Sequence, residues 1–223
     1  MEITALPREL IDAFAKLDTP CISDAMDRLG IPCALFGIKP IVPGTKLCGQ
    51  AFTVHYTACG RIKGTVGDFL DDVQPGQIVV IDNGGRLDCT VWGDIMSICA
   101  SQRGIAGTVI DGVCRDLPVI RRLNYPVFTK GCYMSTGKDR VYVDRLNEPV
   151  TVSGLQVLPG DLLLADDSGA VVIPHARAGQ VLAAAQEIAA VEDQIVARVL
   201  EGCPLKEARA QLGYHALQTR TEE

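Results

Sequence analysis

The chain has 223 residues, of which 48% are hydrophobic and 22% charged, a composition typical of a folded α/β protein that excludes a disordered or fibrous chain. Its formal net charge of −6 argues against a general nucleic-acid or anionic-membrane surface, because both partners need a positive footprint. The start MEITALPREL lacks the apolar stretch of a secretory signal, and no apolar run of about 18 residues follows, so we expect a cytoplasmic protein with one domain over 1–223.

The N-terminal part predicts two helices and a strand. Apolar residues recur at helical spacing in PRELIDAFAKL, and Thr19-Pro20 begins a second helix that runs to Gly30. We therefore expect an N-terminal antiparallel helical hairpin. The segment LCGQAFTVHYTA (47–58) has the β-branched and aromatic residues of a strand, and a weak helix pattern follows in VGDFLDDV (66–73).

The middle of the chain predicts a β-α-β-α-β unit. Helical segments at 94–104 and 117–124 separate three apolar runs of the buried-strand type, which are QIVVID (77–82), GIAGTVID (104–111) and YPVFTKG (125–131). Units of this kind form parallel sheets. We therefore expect an α/β fold with a parallel-strand core.

The last third of the chain predicts a β-rich layer and a long helix. After Thr136, short strands alternate with turn residues as far as Pro174. An amphipathic helix follows at roughly 176–201, and its apolar stripe must cover either this subunit or a neighbour.

Two loops that leave neighbouring strands carry charges suited to chemistry. The segment DNGGRLDCTVWGDIM (82–96) meets a helix at Gly93-Asp94, and DGVCRDLP (111–118) follows the next strand. Since ligands collect beyond the carboxyl ends of parallel strands, we expect Asp94 to face Arg115 and Asp116. A carboxylate can bind a hard divalent cation, a guanidinium can bind a carboxylate or an enolate, and free helix N–H groups can bind an anion.

The same three residues also have a purely structural interpretation. Asp94 can be an N-cap, Asp116 can cap the helix that contains Pro118, and Arg115 can pair with a nearby acid. Spacing alone favours this interpretation, because aspartate is common at helix N-termini.

Other patterns are weaker. The segment GCYMSTGKD (131–139) has five residues rather than four between its glycines, and Asp139 replaces the Ser or Thr of a phosphate-binding loop. No G-x-G-x-x-G follows a strand, so we expect no organic cofactor. The three histidines form no ligand pattern. The nine cysteines include no C-x-x-C, so we expect most of them to be small buried hydrophobic residues in a reducing compartment.

One combination of motifs resembles a known family. Gly93-Asp94, twenty further residues and then Arg115-Asp116 resemble the G-D-x20-R-D signature of class II pyruvate aldolases. These enzymes act on 4-hydroxy-4-methyl-2-oxoglutarate and 4-carboxy-4-hydroxy-2-oxoadipate, and their family includes the RraA regulators of ribonuclease activity. Further similar segments occur in the family's order: TPCISDAMDRLG (19–30), DNGG with WGD (82–94) and PGDLLLADDSGAVVIP (159–174).

The resemblance implies a three-layer swivelling β/β/α fold, assembled as a homotrimer or homohexamer with the active site between subunits. It implies a magnesium or manganese ion with Asp116 as its one direct protein ligand. It also implies that Arg115 contacts the keto and enolate oxygens of the substrate, and that Asp94 orients a water for proton transfer. The backbone amides of Gly93-Asp94-Ile95-Met96 would hold the pyruvyl carboxylate.

The implied activity is retro-aldol cleavage of a 4-hydroxy-2-oxo acid to pyruvate, with decarboxylation of oxaloacetate at the same site. The alternative is a non-catalytic RraA-like protein that inhibits ribonuclease E by protein contact. Val119 stands where the aldolase signature continues with an acid. Loss of such a supporting group typically costs ~10–100-fold in affinity or activity, so we expect a weakened site.

Overall fold

The structure is a computed structural model that describes residues 4–217 and 219. The remaining positions of the predicted domain, 1–3, 218 and 220–223, lie outside the described residues. The α-helices are α1 (Arg8–Phe14), α2 (Thr19–Arg28), α3 (Asp94–Gln102), α4 (Leu117–Leu123), α5 (Ala178–Leu200) and α6 (Leu205–Gln211). The strands are β1 (Lys39–Pro40), β2 (Leu47–Ala58), β3 (Ile78–Asp82), β4 (Gly107–Cys114), β5 (Val127–Cys132), β6 (Val141–Leu146), β7 (Val150–Val152), β8 (Leu155–Val157), β9 (Leu162–Asp166) and β10 (Gly169–Ile173).

A mixed sheet with the strand order β1-β5-β4-β3-β2-β9-β10 forms the centre of the fold. Strands β2, β3, β4 and β5 are parallel to one another, which confirms the predicted β-α-β-α-β unit and its parallel core. The long strand β2 joins the two halves of the sheet, because its first residues pair with β9 and its last residues pair with β6.

Residues of the parallel strands alternate between two apolar clusters, one on each face of the sheet. On β3, Val79 and Ile81 pack with α3 and α4 through residues such as Ala100 and Ile120. Their neighbours on β3 face the hairpin formed by β7 and β8. The layers are therefore hairpin, sheet and helices, which is the expected three-layer β/β/α arrangement.

A third apolar cluster surrounds the edge formed by β9 and β10. Helices α1, α2 and α5 bury residues such as Phe14, Ile22 and Ile188 there. Both predicted N-terminal helices are present, and each of them packs against α5. The C-terminal helix also agrees with its prediction, and it covers this subunit along most of its length. No helix of the described residues is long and apolar enough to cross a membrane.

Two local predictions differ from the structure. The segment around 66–73 forms only a single 3-10 turn at Asp68–Asp72, because Pro75 follows closely and does not allow a longer helix. Strand β4 begins and ends three residues later than predicted, so it includes Gly112, Val113 and Cys114, which the sequence placed in the loop after the strand.

Two buried aspartates, one on β3 and one on β4, form hydrogen bonds and an ion pair with other parts of the fold. Asp82 and Asp111 are register partners, and their carboxylates accept hydrogen bonds from the backbone N–H groups of Thr151 and Ser153 on the hairpin. The Lys130 ammonium lies 2.5 Å from the second oxygen of Asp111. These contacts attach the hairpin layer to the sheet.

We predict that Asp111→Ala lowers the free energy of unfolding by about 3 kcal/mol, because it leaves the Lys130 charge and the Ser153 N–H without their partner. The control is Asp88→Ala, which removes an exposed carboxylate paired with Arg86 and is expected to change little. Urea denaturation measures both. Equal effects of the two substitutions would contradict this role of Asp111.

Candidate active site

A cavity of about 450 Å³ lies where α3 begins and β4 ends. All six residues predicted for the site line it: Gly93, Asp94, Ile95, Met96, Arg115 and Asp116. Thr90, Val91 and Trp92 precede Gly93 in the same loop and also line the cavity. The rest of the wall comes from segments distant in sequence, which contribute Gly64, Thr65, Val66, Gly67, Asp68, Thr136 and Lys138. The fold thus brings the two predicted loops together.

Gly93 allows the two loops to approach closely. Its φ of −155° is extended backbone that any residue can adopt, so conformation does not require glycine here. A Cβ atom at this position would lie only 2.5 Å from Oδ2 of Asp116 and 3.4 Å from the Arg115 side chain. The glycine therefore leaves the space in which the Asp116 carboxylate lies.

Trp92 fixes the position of the loop before α3. Its ring is buried, and its Nε1–H donates to the Ser97 hydroxyl, which in turn donates to the carbonyl of Gly93. The carbonyl of Trp92 accepts a hydrogen bond from the backbone N–H of Arg115 at 3.0 Å. The loop before α3 and the end of β4 are therefore tied to each other by backbone as well as by side chains.

Asp116 occupies the N-cap position of α4 but does not cap that helix through its side chain. Its backbone is left-handed, with φ 60° and ψ 37°, and its carboxylate turns towards α3. There Oδ2 accepts a hydrogen bond from the Asp94 N–H at 3.2 Å and lies 3.4 Å from Nε of Arg115. The capping interpretation of Asp116 is therefore wrong, whereas the ion pair of Arg115 is present.

Asp94 is the first residue of α3 rather than its cap, which is Gly93. Its Oδ1 accepts a hydrogen bond from the N–H of Ile95. Among the described residues, the N–H groups of Gly93 and Met96 have no hydrogen-bond partner. Since N–H groups at a helix N-terminus favour anions, this end of the cavity can bind a carboxylate.

The surroundings of Asp116 fit a hard cation that binds one carboxylate and keeps its water ligands. Within residues 4–217 and 219, its Oδ1 makes no hydrogen bond, and no group of three acidic, histidine or cysteine side chains could enclose a metal. Mg²⁺ keeps several of its waters and binds to proteins through one or two carboxylates. Val119 is half-buried on α4 and does not line the cavity. It therefore supplies no ligand or supporting group for a metal ion.

The cavity is also lined by residues that the sequence did not predict as part of the site. Thr90 forms bridges with both Val113 and Thr136, and Lys138 follows two residues later. In the sequence, the segment 131–139 that contains Lys138 shows only a weak similarity to a phosphate-binding loop. No local signal marks Thr136 or Lys138, because contacts between distant segments bring them to the cavity, whereas Thr90 lies in the predicted loop 82–96.

A buried tyrosine supports the loop that carries Asp68. The Tyr56 hydroxyl donates to the carbonyl of Val66. Burial, and to a smaller extent the charge of Asp68, raise the pKa of Tyr56, so this phenol remains a hydrogen-bond donor. Gly67 in the same loop lies against Met96, because a Cβ there would be 2.6 Å from the Met96 sulfur.

The cysteines are free thiols, as expected, but their burial varies more than expected. Cys21, Cys33, Cys89 and Cys114 are buried, whereas Cys132 is exposed and the other four are half-buried. Burial raises the pKa of the Cys114 thiol to about 12. The prediction that most cysteines are buried is therefore wrong.

Comparison with known proteins places the chain in a family. Residues 19–172 match the family model "RraA-like: Aldolase/RraA". The chain belongs to the RraA-like family. The match ends at β10, so helices α5 and α6 lie beyond the matched region.

Two curated relatives illustrate the range of the family. The chain is 40% identical over 209 residues to "Protein DlpA" of Legionella pneumophila, covering 92% of this chain and 34% of that protein. It therefore spans about a third of the length of that relative. It is 33% identical over 179 residues to a Halalkalibacterium halodurans protein named "Putative 4-hydroxy-4-methyl-2-oxoglutarate aldolase", covering 80% of this chain and 83% of that one.

Solved structures confirm the fold. An uncharacterized protein from Pseudomonas syringae pv. tomato superimposes with a TM-score of 0.87 at 40% identity, covering 92% of this chain and 99% of that chain. RraAS2 of Streptomyces coelicolor, described as an unusual member of the RNase ES inhibitor RraA protein family, superimposes with a TM-score of 0.77 at 28% identity. The coverage is 85% of this chain and 96% of that chain.

We predict that Ser97→Ala lowers the free energy of unfolding by about 1–3 kcal/mol, because the buried Trp92 Nε1–H loses its acceptor. The control is Ser101→Ala, one turn later on the exposed face of α3, which is expected to be near neutral. Urea denaturation monitored by the fluorescence of Trp92, the single tryptophan of the chain, measures both. A Ser97→Ala protein as stable as the control would show that this bond does not hold the loop.

Proposed function

We propose that this chain is a divalent-metal-dependent aldolase that cleaves a 4-hydroxy-2-oxo acid, of the 4-hydroxy-4-methyl-2-oxoglutarate type, to pyruvate and a second carbonyl compound. One observation carries the proposal: Asp94, Arg115 and Asp116 meet in one cavity at the N-terminus of α3. The name of the Halalkalibacterium relative supports the same substrate class. Oxaloacetate loses carbon dioxide through the same type of enolate, so its decarboxylation is the expected second activity.

Asp116 would hold the metal, a magnesium or manganese ion, through its free oxygen, with water molecules as the other ligands. When bound, the ion supplies a Lewis acid that polarises the 2-oxo group of the substrate. No organic cofactor belongs to the proposal. The Asp94 N–H keeps the other oxygen of Asp116 in place, so the carboxylate is oriented before the ion binds.

The remaining polar groups would bind the substrate and move protons. The free N–H groups of Gly93 and Met96 receive the C1 carboxylate, and Arg115 shares the negative charge that develops on the 2-oxo oxygen as the C3–C4 bond breaks. A water held by Asp94 takes the proton of the C4 hydroxyl, and C3 then receives a proton to give pyruvate. Asp94 is half-buried at the cavity wall, so a water can reach it.

We further propose a cytoplasmic homotrimer or homohexamer in which a neighbouring subunit completes the site. Ile95 lines the cavity and is 78% exposed. Large apolar side chains so exposed at a ligand site are typical of a surface that another protein chain covers.

The second candidate function is inhibition of a ribonuclease of the E type by protein contact. The likeness to the Streptomyces RraAS2 structure favours it, and so does the apolar Val119. The cavity favours the enzyme instead, because a protein-binding surface has no need of two carboxylates, a guanidinium and free helix N–H groups around one cleft.

We predict that pyruvate release from 4-hydroxy-4-methyl-2-oxoglutarate and from oxaloacetate stops on treatment with EDTA and returns with Mg²⁺ or Mn²⁺. Asp116→Ala should lower this activity by more than ~100-fold, since even residues that merely support a metal ligand cost ~10–100-fold. The control is Asp193→Ala on the exposed face of α5. A coupled lactate dehydrogenase assay gives the rates.

Pyruvate release that survives EDTA, or that persists in Asp116→Ala, would contradict the proposal. A protein that releases no pyruvate but slows RNA cleavage by purified ribonuclease E would support the second candidate function. The two assays on one preparation therefore separate the two functions.

We also predict that Gly93→Ala folds with nearly normal stability but loses at least ~10-fold in metal-dependent activity. The added methyl group collides with the flexible end of Asp116, which can turn away from its position without disrupting the core. Gly179→Ala, where a Cβ meets nothing within 4 Å, is the matched control. Normal activity in Gly93→Ala would show that the position of the Asp116 carboxylate does not matter.

A further inference from the structure

Two cysteines face each other at the ends of neighbouring strands. Cys114 ends β4, Cys132 ends β5, and they are register partners in this parallel pair. Neighbouring strands lie about 4.8 Å apart, and register partners project to the same face of a sheet. Disulfides form between Cα atoms roughly 4.4–6.8 Å apart, so this pair meets the distance requirement. In the strand pairs that the structure describes, no other two cysteines are register partners.

The local backbone leaves room for adjustment at this point. The register of β4 against β5 shifts between Ile110 and Val113, so the regular ladder is already interrupted just before the cysteines. Gly131 precedes Cys132 with φ +155°, a conformation that residues with a side chain rarely adopt. A disulfide requires Cβ atoms roughly 3.8 Å apart, so we expect the bond to form with a small backbone movement at this irregular point.

The two thiols also differ in access. Cys132 is exposed to solvent, whereas Cys114 is buried beneath the helix layer. An oxidant in solution therefore reaches Cys132 first, and Cys114 is the neighbouring thiol available for the second step. This is the usual arrangement of a sensing cysteine and a resolving cysteine.

We propose that Cys114 and Cys132 form a reversible redox site, a dithiol that a hydroperoxide converts to a disulfide, and that this bond displaces Arg115 and Asp116. The Cys132 sulfur attacks hydrogen peroxide, the O–O bond breaks, and a sulfenic acid and one water form. The Cys114 sulfur then displaces the sulfenic oxygen as a second water. Two thiols lose two electrons and two protons in total, which reduce one peroxide. Exchange with two molecules of a small thiol, which leave as their own disulfide, restores the dithiol.

The candidate active site is connected through the backbone to the proposed Cys114–Cys132 disulfide. Cys114 directly precedes Arg115, whose backbone N–H is bonded to the carbonyl of Trp92. The carboxylate of Asp116 accepts a hydrogen bond from the Asp94 N–H on α3, so a shift of β4 relative to α3 would break this contact. A displacement of about 1 Å at reacting groups can cost ~100-fold in rate. The loss of activity rests on the proposed function, whereas formation of the disulfide does not.

Trypsin makes the bond directly observable. Cleavage after Arg103, Arg115, Lys130 and Lys138 places the two cysteines in separate peptides, 104–115 and 131–138, with one cysteine each. The full-length reduced protein is treated with hydrogen peroxide, its free thiols are alkylated, and it is then digested and analysed by mass spectrometry. We expect the two peptides to be linked in the wild type and in a Cys203→Ser control, and not in Cys132→Ser.

Two further readouts test the coupling. The emission of Trp92 should change on oxidation and recover with dithiothreitol in the wild type and in Cys203→Ser, but not respond in Cys132→Ser. Metal-dependent pyruvate release should fall at least ~10-fold and recover in parallel. Peroxide that oxidises Cys132 without linking the two peptides would overturn the proposal, and so would a disulfide that leaves Trp92 emission unchanged. A chain that never releases pyruvate refutes the proposed function alone, because the peptides and the fluorescence still decide the redox site.

Discussion

The contact between the Asp116 carboxylate and the first N–H group of α3 is the interaction on which the rest of the site depends. It joins the connection between β4 and α4 to the first residue of α3. The contact lies beside Gly93, where an added methyl group would have no space. The contact orients one carboxylate oxygen and leaves the other free. The proposed cation site has a single protein ligand and depends on this prior orientation, because no further side chains would correct its geometry.

The order of strands in the sheet determines where the contact between Asp116 and α3 lies. Four parallel strands bring the ends of β3 and β4 to one edge, and buried aspartates within the same strands attach the hairpin layer to the opposite face. The helix layer contributes the N-terminus of α3, whose dipole favours a nearby anion such as the Asp116 carboxylate. Asp94 and Asp116 therefore follow β3 and β4 at the starts of α3 and α4, whereas Asp82 and Asp111 lie within these strands and contact the hairpin.

The sequence predicted the layered fold and the meeting of Gly93-Asp94 with Arg115-Asp116, because apolar runs of strand length and the order of the loops depend on local patterns. It did not predict which helix the Asp116 side chain contacts, since a left-handed backbone at that residue turns the carboxylate away from its own helix. It also could not place Thr136 or Lys138, which reach the cavity through contacts between distant segments. It could not predict the buried partners of Asp111 either, because Lys130 and Ser153 come later in the chain.

Binding of Mn²⁺, followed by electron paramagnetic resonance with and without pyruvate, tests the central claim most directly, because it does not depend on knowing the physiological substrate. The account predicts one Mn²⁺ site per chain whose affinity rises with pyruvate, and its loss in Asp116→Asn with the fold intact. Binding of Mn²⁺ that is unchanged in Asp116→Asn would contradict it.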